Sequence, residues 1–177
     1  MVRKIILSGI LSVLLVAGLL VTVRSFAIGN GESANGHGTL LRQDENGKTV
    51  RRQFSFSAQR RADGSVKGQA TLHNPAFDGA NGQNYQAKID ISCMRVYGNR
   101  AVMSGFTRRT NDPNLLDVAT FIVEDNGEPG RNNDKISGVA FFDGDPNTTG
   151  DPQACEVTPP DALPLETIEA GNIQVRP

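Results

Sequence analysis

Helical periodicity is the first feature that this sequence lacks. Beyond residue 27 no stretch repeats apolar residues at the spacing of an amphipathic helix, whereas many stretches alternate apolar and polar residues. Tryptophan is absent and aromatic residues make up only 6% of the chain, while 19 glycines fall largely where turns are needed. We therefore predict an all-β domain with many tight turns.

An excess of positive charge is also missing. The whole chain has 18 basic and 19 acidic residues. If Arg3, Lys4 and Arg24 are removed with the leader described below, 15 basic residues remain against the same 19 acidic ones, which gives a net charge of −4. A protein that binds nucleic acid needs a basic patch or stripe. We expect no nucleic-acid partner.

Signatures of catalysis are absent as well. The sequence contains no G-x-S-x-G nucleophile elbow, no metalloprotease helix motif and no phosphate-binding loop. Paired carboxylates of the glycosidase type stay open, because their spacing is spatial and not sequential. We expect a non-catalytic protein without a cofactor, with calcium as the one ion that the sequence suggests.

The chain opens like a secretory signal. Two basic residues, Arg3 and Lys4, precede an apolar run over residues 5–23, and a small-residue cleavage site ends at Ala27. The alternative is an uncleaved membrane anchor, because an apolar run of about 20 residues spans a bilayer. We predict a signal peptide over residues 1–27 and a protein that is secreted, extracellular or held in the bacterial cell envelope.

The exported part has a simple organisation. No cysteine lies near the cleavage site, so lipid attachment through an N-terminal cysteine is excluded. Residues 28–34 are rich in Gly, Asn and Ser and predict a flexible linker. Residues 35–177 are enough for one domain with its own core. We expect contact with a membrane only if the signal stays uncleaved.

The longest pair of strand-like runs lies at residues 87–109 and is joined by Gly98-Asn99, a two-residue hairpin signal. In that register Tyr97 pairs with Arg100. The first predicted face carries Ile89, Ile91, Cys93, Val102 and Phe106. The second carries Met94, Val96, Ala101 and Met103. Because an exposed hairpin has one polar face, we expect this one to be covered by a second layer, by the closure of a barrel or by another subunit.

Eight strands are predicted in all, and their connections are mostly short. They cover residues 35–44, 48–60, 65–74, 87–97, 100–109, 115–124, 135–142 and 167–176. The simplest arrangement is an antiparallel meander. We favour a barrel over a two-sheet sandwich, because consecutive hairpins need no crossover.

Two further turns set the register of the early strands. The Asn-Gly pair at residues 46–47 predicts a two-residue type I′ turn. A two-residue loop in the next hairpin would place Phe54 and Phe56 on the polar face. We therefore predict a three-residue loop at residues 62–64, with Gly64 left-handed in a bulge.

The two-residue turn at 46–47 would bring His37 to the inner side, opposite Phe56. Gly68 and Ala70 would leave space beside it, and an inward histidine next to small residues can form a ligand pocket. The alternative is a core histidine with its hydrogen bonds satisfied, the small residues making room for phenylalanine rings. Both interpretations are open on the sequence.

The two cysteines, Cys93 and Cys155, are the only pair in the chain. An exported protein meets an oxidising environment, so we predict a disulfide between them that pins the Pro-rich connection onto the barrel. The alternative is two separate thiols, with Cys93 acting as a buried apolar residue.

Alternating carboxylate and amide residues after residue 142 are typical of an oxygen-ligand calcium loop. The candidate ligands are Asp143, Asp145, Asn147 and Asp151. Against this, an EF-hand would have Gly where Thr148 stands and a Glu where Ala154 stands. The alternative is a turn-rich loop whose side chains bond their own backbone.

Several segments in this order have a familiar arrangement. The chain runs from GHGTL through FSFSA and GSVKG to AKIDISCMRVYGNRAVMSG, and then through FIVEDNGEPGRNND to GNIQV. Over residues 36–175 it resembles the post-COAP type of bacterial secreted domain. The resemblance implies a secreted or surface β-domain and brings no catalytic residues.

The sequence thus favours a structural or binding module that meets a protein or glycan partner through its loops, chiefly residues 125–134 and 143–166. The alternative is a small-molecule-binding barrel, lipocalin-like or barrel isomerase-like, with an internal pocket. A homo-oligomer is a third interpretation. Three arginine doublets at strand ends, residues 51–52, 60–61 and 108–109, suggest either an anionic-glycan surface or solvated strand ends.

Overall fold

The computed structural model describes residues 31–112, 118–142 and 151–177, and these residues form ten β-strands. The strands are β1 (Ser33–Gln43), β2 (Thr49–Arg60), β3 (Val66–Asp78), β4 (Asn84–Tyr97), β5 (Arg100–Thr110), β6 (Val118–Glu124), β7 (Lys135–Ser137), β8 (Ala140–Phe142), β9 (Leu165–Thr167) and β10 (Ala170–Arg176). A short 3₁₀ helix, Ala154–Glu156, precedes β9. Within the described ranges no helix has the length and apolar character needed to cross a membrane.

The strands form one antiparallel sheet that follows chain order from β1 to β7. At one end of this series β10 pairs with β1, and at the other end β9 pairs with β7. Only Ile168 and Glu169 separate β9 from β10, so the sheet curls until one stretch of chain holds both of its ends. The predicted all-β antiparallel meander is confirmed, and the sheet is curled in the manner of a barrel.

The strand count differs from the eight predicted because the run over residues 135–142 is broken and because β9 precedes the closing strand. The break lies at Ser137. Its hydroxyl accepts a hydrogen bond of 2.9 Å from the amide of Ile122 and donates one of 2.6 Å to the carbonyl of Gly138. A side chain therefore replaces the backbone partner at this point, and β7 and β8 pair separately with β6.

Two of the predicted turns are confirmed. In the central hairpin Tyr97 pairs with Arg100, as a two-residue turn requires. In the hairpin of β2 and β3, Gly64 has a φ of 84° and Phe54 lies opposite Leu72, as the bulged turn requires. The apolar pattern on both strands was sufficient to fix these registers.

The first hairpin does not have the predicted two-residue turn. The amide of Asp44 donates to the carbonyl of Lys48 at 2.9 Å across a three-residue loop, in which Gly47 has a φ of 74°. The register moves by one residue, so His37 lies opposite Ser55 and is exposed. The prediction of an inward histidine is wrong, because a slip of one residue turns every side chain to the other face.

A β-bulge in β4 also changes the predicted faces. Ile91 pairs with Gly105 and Cys93 with Ser104, which leaves Ser92 without a partner strand residue. The extra residue inverts the alternation, so that Ile91 packs in the main core while Cys93 packs in a separate cluster on the outer side. The prediction that the isoleucines of β4 share a face with the cysteine is wrong.

The expected second layer over this hairpin is present. The connection over residues 151–164 lies on its outer side, where Cys155 and Leu163 pack against Cys93 and Val102. Both faces of the central hairpin are therefore covered, which accounts for its two apolar faces.

Aromatic rings fill the middle of the barrel. Phe54 and Phe56 stack with their centroids 6.2 Å apart, and Phe56 meets the edge of Phe121 at 5.7 Å. Gly36 and Gly38 face these rings from β1, and a Cβ atom at Gly36 would lie 2.8 Å from the ring of Phe56. The glycines of the first strand thus make room for the core.

The boundaries at the N-terminus agree only in part with the predictions. Strand β1 begins at Ser33, inside the segment predicted as a linker. Residues 1–27, predicted as a signal peptide, lie outside the described residues.

Candidate ligand-binding site

The interior stripe proposed as a pocket is almost filled. Phe56 lies opposite Ala70 on the inner side, and Gly68 follows the same alternation, but His37 is on the other face of the sheet. The space beside these residues is about 20 Å³, which holds about one water molecule. A ligand site has to be sought elsewhere in the barrel.

A larger cavity opens at the end of the barrel that carries the turn between β1 and β2. Its volume is about 370 Å³, in the range of small-molecule sites. Its apolar walls and its buried charge come from six residues: Arg52, Leu72, Phe77, Tyr85, Val139 and Phe141. Arg42, Asn74, Asp78 and Asp112 add further polar groups, and apolar walls with convergent polar groups are a feature of ligand pockets.

Strand β2 positions the charged side chain of Arg52. Its alternation buries Arg52 on the same side as Phe54 and Phe56, while Arg51 and Ser55 are exposed on the other side. The signal was in the sequence, because Arg52 stands two residues before Phe54, which the apolar pattern places inside. The interpretation of this arginine doublet as a solvated strand end is wrong for its second member.

The guanidinium of Arg52 is buried, with only 1% of the residue exposed. Its Nη2 atom donates a hydrogen bond of 3.0 Å to the carbonyl of Ser137, while its Nε atom has no hydrogen-bond partner. Burial lowers the pKa of Arg52, and the negative charge of Glu166 offsets only part of that effect. A buried charge with so few partners is costly.

The acidic group whose charge acts on Arg52 is already engaged. Glu166 accepts a hydrogen bond of 2.6 Å from Arg42, which reaches the same cavity from β1. Arg42 also lowers the pKa of Arg52 further through repulsion between like charges. Among the described ion pairs none includes Arg52. Within the described part of the chain, no carboxylate therefore lies in ion-pair contact with this guanidinium.

The walls of the cavity are aromatic. Tyr85 and Phe141 meet edge to face, with ring centroids 6.1 Å apart. Burial is the main cause that raises the pKa of Tyr85. Phe77 is 48% exposed, and the carboxylates of Asp78 and Asp112 also line the cavity. Asp78 is exposed and Asp112 half-buried, so the acidic groups are more accessible to water than Arg52.

A second groove, of about 500 Å³, lies around Arg60 on the outer surface. The guanidinium of Arg60 donates to the carboxylate of Glu32 at 2.7 Å and to the carbonyls of Met94 and Gly64 at 2.5 and 3.0 Å. Because its charged group is already satisfied, this groove is the weaker candidate.

The two cysteines are placed for a disulfide. The Cα atoms of Cys93 and Cys155 are 5.9 Å apart, and both residues are buried. Ser104 supports the same contact, since its hydroxyl accepts from the amide of Cys155 at 3.0 Å and donates to the carbonyl of Pro152 at 2.8 Å. The pair fixes the connection on the outer side of the sheet, away from the cavity.

The predicted calcium loop lies mostly outside the described residues. Asp143, Asp145 and Asn147 belong to the part that the structure does not describe. The fourth candidate, Asp151, accepts a hydrogen bond of 2.8 Å from the amide of Gln153 and so closes a turn. Within the described ranges no cluster of His, Cys, Asp and Glu is arranged to hold a metal ion. Calcium binding stays a prediction.

The other acidic loop, residues 125–134, uses its carboxylates on the backbone. Asp134 accepts hydrogen bonds from the amides of Ile173 and Asn126 at 2.7 and 2.8 Å. Asp125 accepts one of 3.0 Å from the amide of Val175. These carboxylates attach the loop to β10.

Comparison with known proteins adds nothing to this geometry: the chain matches no known protein family, no curated protein and no solved structure. The resemblance to post-COAP domains stays a prediction, carried by the residues quoted for it. The cavity beside Arg52 is the feature from which function has to be argued.

Proposed function

We propose that this chain is a non-catalytic β-barrel domain that binds a small molecule in the cavity beside Arg52. The observation that carries the proposal is the cavity itself, about 370 Å³ with aromatic walls and a buried guanidinium whose Nε atom has no hydrogen-bond partner. Small barrels often hold one ligand in this way, at or inside the mouth. This cavity lies at the end of the barrel, whereas the sequence places the expected pocket at the stripe near His37.

The lining of the cavity supports binding without catalysis. The described residues around it include no His, Ser or Cys, which are the commonest general bases and nucleophiles. Its charged groups are arginines and carboxylates, and both carboxylates are more exposed than Arg52. Such a site recognises a ligand by charge and shape.

We also infer that the domain works outside the cytoplasm, secreted or at the bacterial envelope. The predicted signal peptide over residues 1–27 supports export. The disulfide-compatible placement of Cys93 and Cys155 supports an oxidising compartment.

The test is a native mass spectrum of the protein purified from its own host, compared with two cavity variants. Gly138 lines the cavity, and a Cβ atom added there would meet no atom within 4 Å. We expect the wild-type protein and Gly138→Ala to retain a small molecule and Gly138→Leu to lose it, because a leucine would occupy the cavity. Apoprotein masses for all three, or equal retention by Gly138→Leu, would contradict the proposal.

A second candidate function is recognition of a protein or glycan by the loop over residues 125–134. The observation that favours it is that Asp125 and Asp134 hold the loop on β10 while Glu128 and Arg131 are exposed, so the loop presents them from a fixed backbone. Preorganised loops bind with a lower entropic cost. A glycan array probed with the wild type and with Arg131→Ala tests this, and identical or empty profiles would count against it.

A further inference from the structure

We infer that the ligand of the cavity is a monocarboxylate with an apolar body, whose carboxylate pairs with the guanidinium of Arg52. This inference rests on the proposed function and names the chemical class of the ligand. Three features of the site support it: the partners of the guanidinium, the walls, and the acidic groups near the opening.

The guanidinium of Arg52 has a hydrogen-bond donor that is not used, its Nε atom. Arg52 is 1% exposed, one of its nitrogens donates to Ser137, and its Nε atom has no partner. A planar guanidinium matches a carboxylate through two parallel hydrogen bonds, and such pairs are stronger than bonds between neutral groups. Arg42 does not compete for the anion, since it is bonded to Glu166. An incoming carboxylate would supply an acceptor for the Nε atom, which has none among the residues that the structure describes.

The walls select the rest of the ligand. Leu72, Val139 and Phe141 give aliphatic and aromatic surface, and Tyr85 packs edge to face on Phe141. A volume of 370 Å³ is room for roughly a dozen non-hydrogen atoms, taking the space that a water molecule occupies in the liquid as the measure. A carboxylate on a medium-length hydrocarbon chain has this size.

The acidic groups limit the charge of the ligand. Asp78 and Asp112 line the same cavity and are more exposed than Arg52. A second negative charge at the outer end of the ligand would lie near these carboxylates and be repelled. The site therefore favours a single carboxylate over a dicarboxylate of the same length.

The test is isothermal titration calorimetry of the protein, in the form that its host releases, with octanoate, octanol, octylamine and octanedioate. We expect octanoate to bind about ten- to a hundredfold more tightly than the other three probes, because only octanoate combines a carboxylate for the guanidinium with an uncharged tail. Arg52→Met should reduce octanoate affinity by the same factor and leave octanol affinity unchanged.

The matched control is Arg51→Met, one residue away on the same strand. Arg51 faces the outer side, where it pairs with Glu169 at 3.3 Å, so octanoate affinity should not change. Arg52→Lys is the second variant, since it keeps the charge without the planar fork, and we expect affinity between those of the wild type and Arg52→Met.

The outcomes separate the two claims. If octanol, octylamine or octanedioate binds the wild type as tightly as octanoate, the inference that the ligand is a monocarboxylate is wrong. The proposal that the cavity binds a small molecule would not be affected. The same conclusion follows if a folded Arg52→Met variant binds octanoate as tightly as the wild type. If Arg52→Met does not fold, Arg52→Lys is used in its place, and wild-type affinity there would also contradict the pairing with a planar guanidinium. If no probe binds at all, the cavity is not a site for molecules of this size and both claims fail.

Discussion

The buried carboxylate of Asp134 accepts a hydrogen bond of 2.7 Å from the amide of Ile173, on the edge of β10 that does not face β1. Two residues further on, the amide of Val175 is bound in the same way by Asp125 at 3.0 Å. The spacing of two residues is that of successive amides along one edge of a strand. At this edge of β10 two aspartate carboxylates therefore accept the hydrogen bonds that the carbonyls of a neighbouring strand would accept.

Replacement of Asp134 should therefore destabilise the closure of the barrel. In Asp134→Ala the amides of Ile173 and Asn126 lose their acceptor in a buried site, which we expect to cost about 2–4 kcal/mol in the free energy of unfolding. Urea denaturation measures the loss, with the exposed Asp161→Ala as a control that should stay within about 0.5 kcal/mol of the wild type. Hydrogen exchange at the amide of Ile173 that is no faster in Asp134→Ala would contradict this role.

Glu124 should make the stability depend on pH in the acid range. Burial by itself would raise the pKa of Glu124. Hydrogen bonds from Asn126, Arg100 and Lys135 outweigh it and hold the pKa below the ordinary value. A carboxylate with a lowered pKa in the folded state stabilises the fold fully above its unfolded value, about 4.3, and this contribution is lost as the pH falls through the folded pKa.

The measurement for Glu124 is the free energy of unfolding from about pH 6 down to pH 3, a window set by the ordinary glutamate pKa. Glu124→Gln should be less stable than the wild type near neutral pH, by about 1–2 kcal/mol, and the difference should shrink in acid. The exposed Glu45→Gln is the control and should follow the wild-type curve. A difference between Glu124→Gln and the wild type that stays constant with pH would show that the charge of Glu124 does not act in this way.

The disulfide should contribute to stability because it closes a long loop. Cys93 and Cys155 are separated by 62 positions, and a cross-link of that span typically contributes about 2–4 kcal/mol. We expect reductant to lower the melting temperature of the wild type and to leave the double variant Cys93→Ala/Cys155→Ala unchanged. If the protein from its host carries two free thiols by mass, the proposed oxidised state is wrong.

Gly105 should resist substitution because the chain of β4 passes close to it. A Cβ atom there would overlap the carbonyl oxygen of Asp90, next to the bulge at Ser92. We expect Gly105→Ala to destabilise the protein by about 1–3 kcal/mol, since backbone atoms have to move. Gly138→Ala is the matched control, because a Cβ atom there meets nothing within 4 Å. Equal melting temperatures for the two variants would contradict the packing described for β4 and β5.

Two glycine turns show how far the sequence could predict the fold. At Gly64 both flanking strands carry large apolar residues, so only one register buries Phe54 and Phe56, and the prediction was right. At Gly47 the inner positions of β1 include Gly36 and Gly38, which give no apolar signal to separate one register from the next. The Asn-Gly dipeptide alone did not determine the length of the turn. The wrong register placed His37 on the inner face in the prediction.

The site was harder to predict than the fold. The inward direction of Arg52 follows from its spacing to Phe54, so this part was available in the sequence. The bulge at Ser92 and the break at Ser137 could not be predicted from the sequence. Each depends on local backbone geometry, which the alternation of apolar and polar residues does not indicate. The cavity is formed by ends of strands far apart in the chain, whose meeting depends on how the sheet curls.

An NMR experiment on the methyl-labelled protein with bound octanoate tests whether a small molecule occupies the cavity beside Arg52. We predict magnetisation transfer from the hydrocarbon chain of octanoate to the methyl groups of Leu72 and Val139, which line the cavity. Transfer instead to Val157, which is 84% exposed on the outer connection, would place the ligand elsewhere and contradict the claim. Absence of transfer to any methyl group under saturating octanoate would contradict it as well.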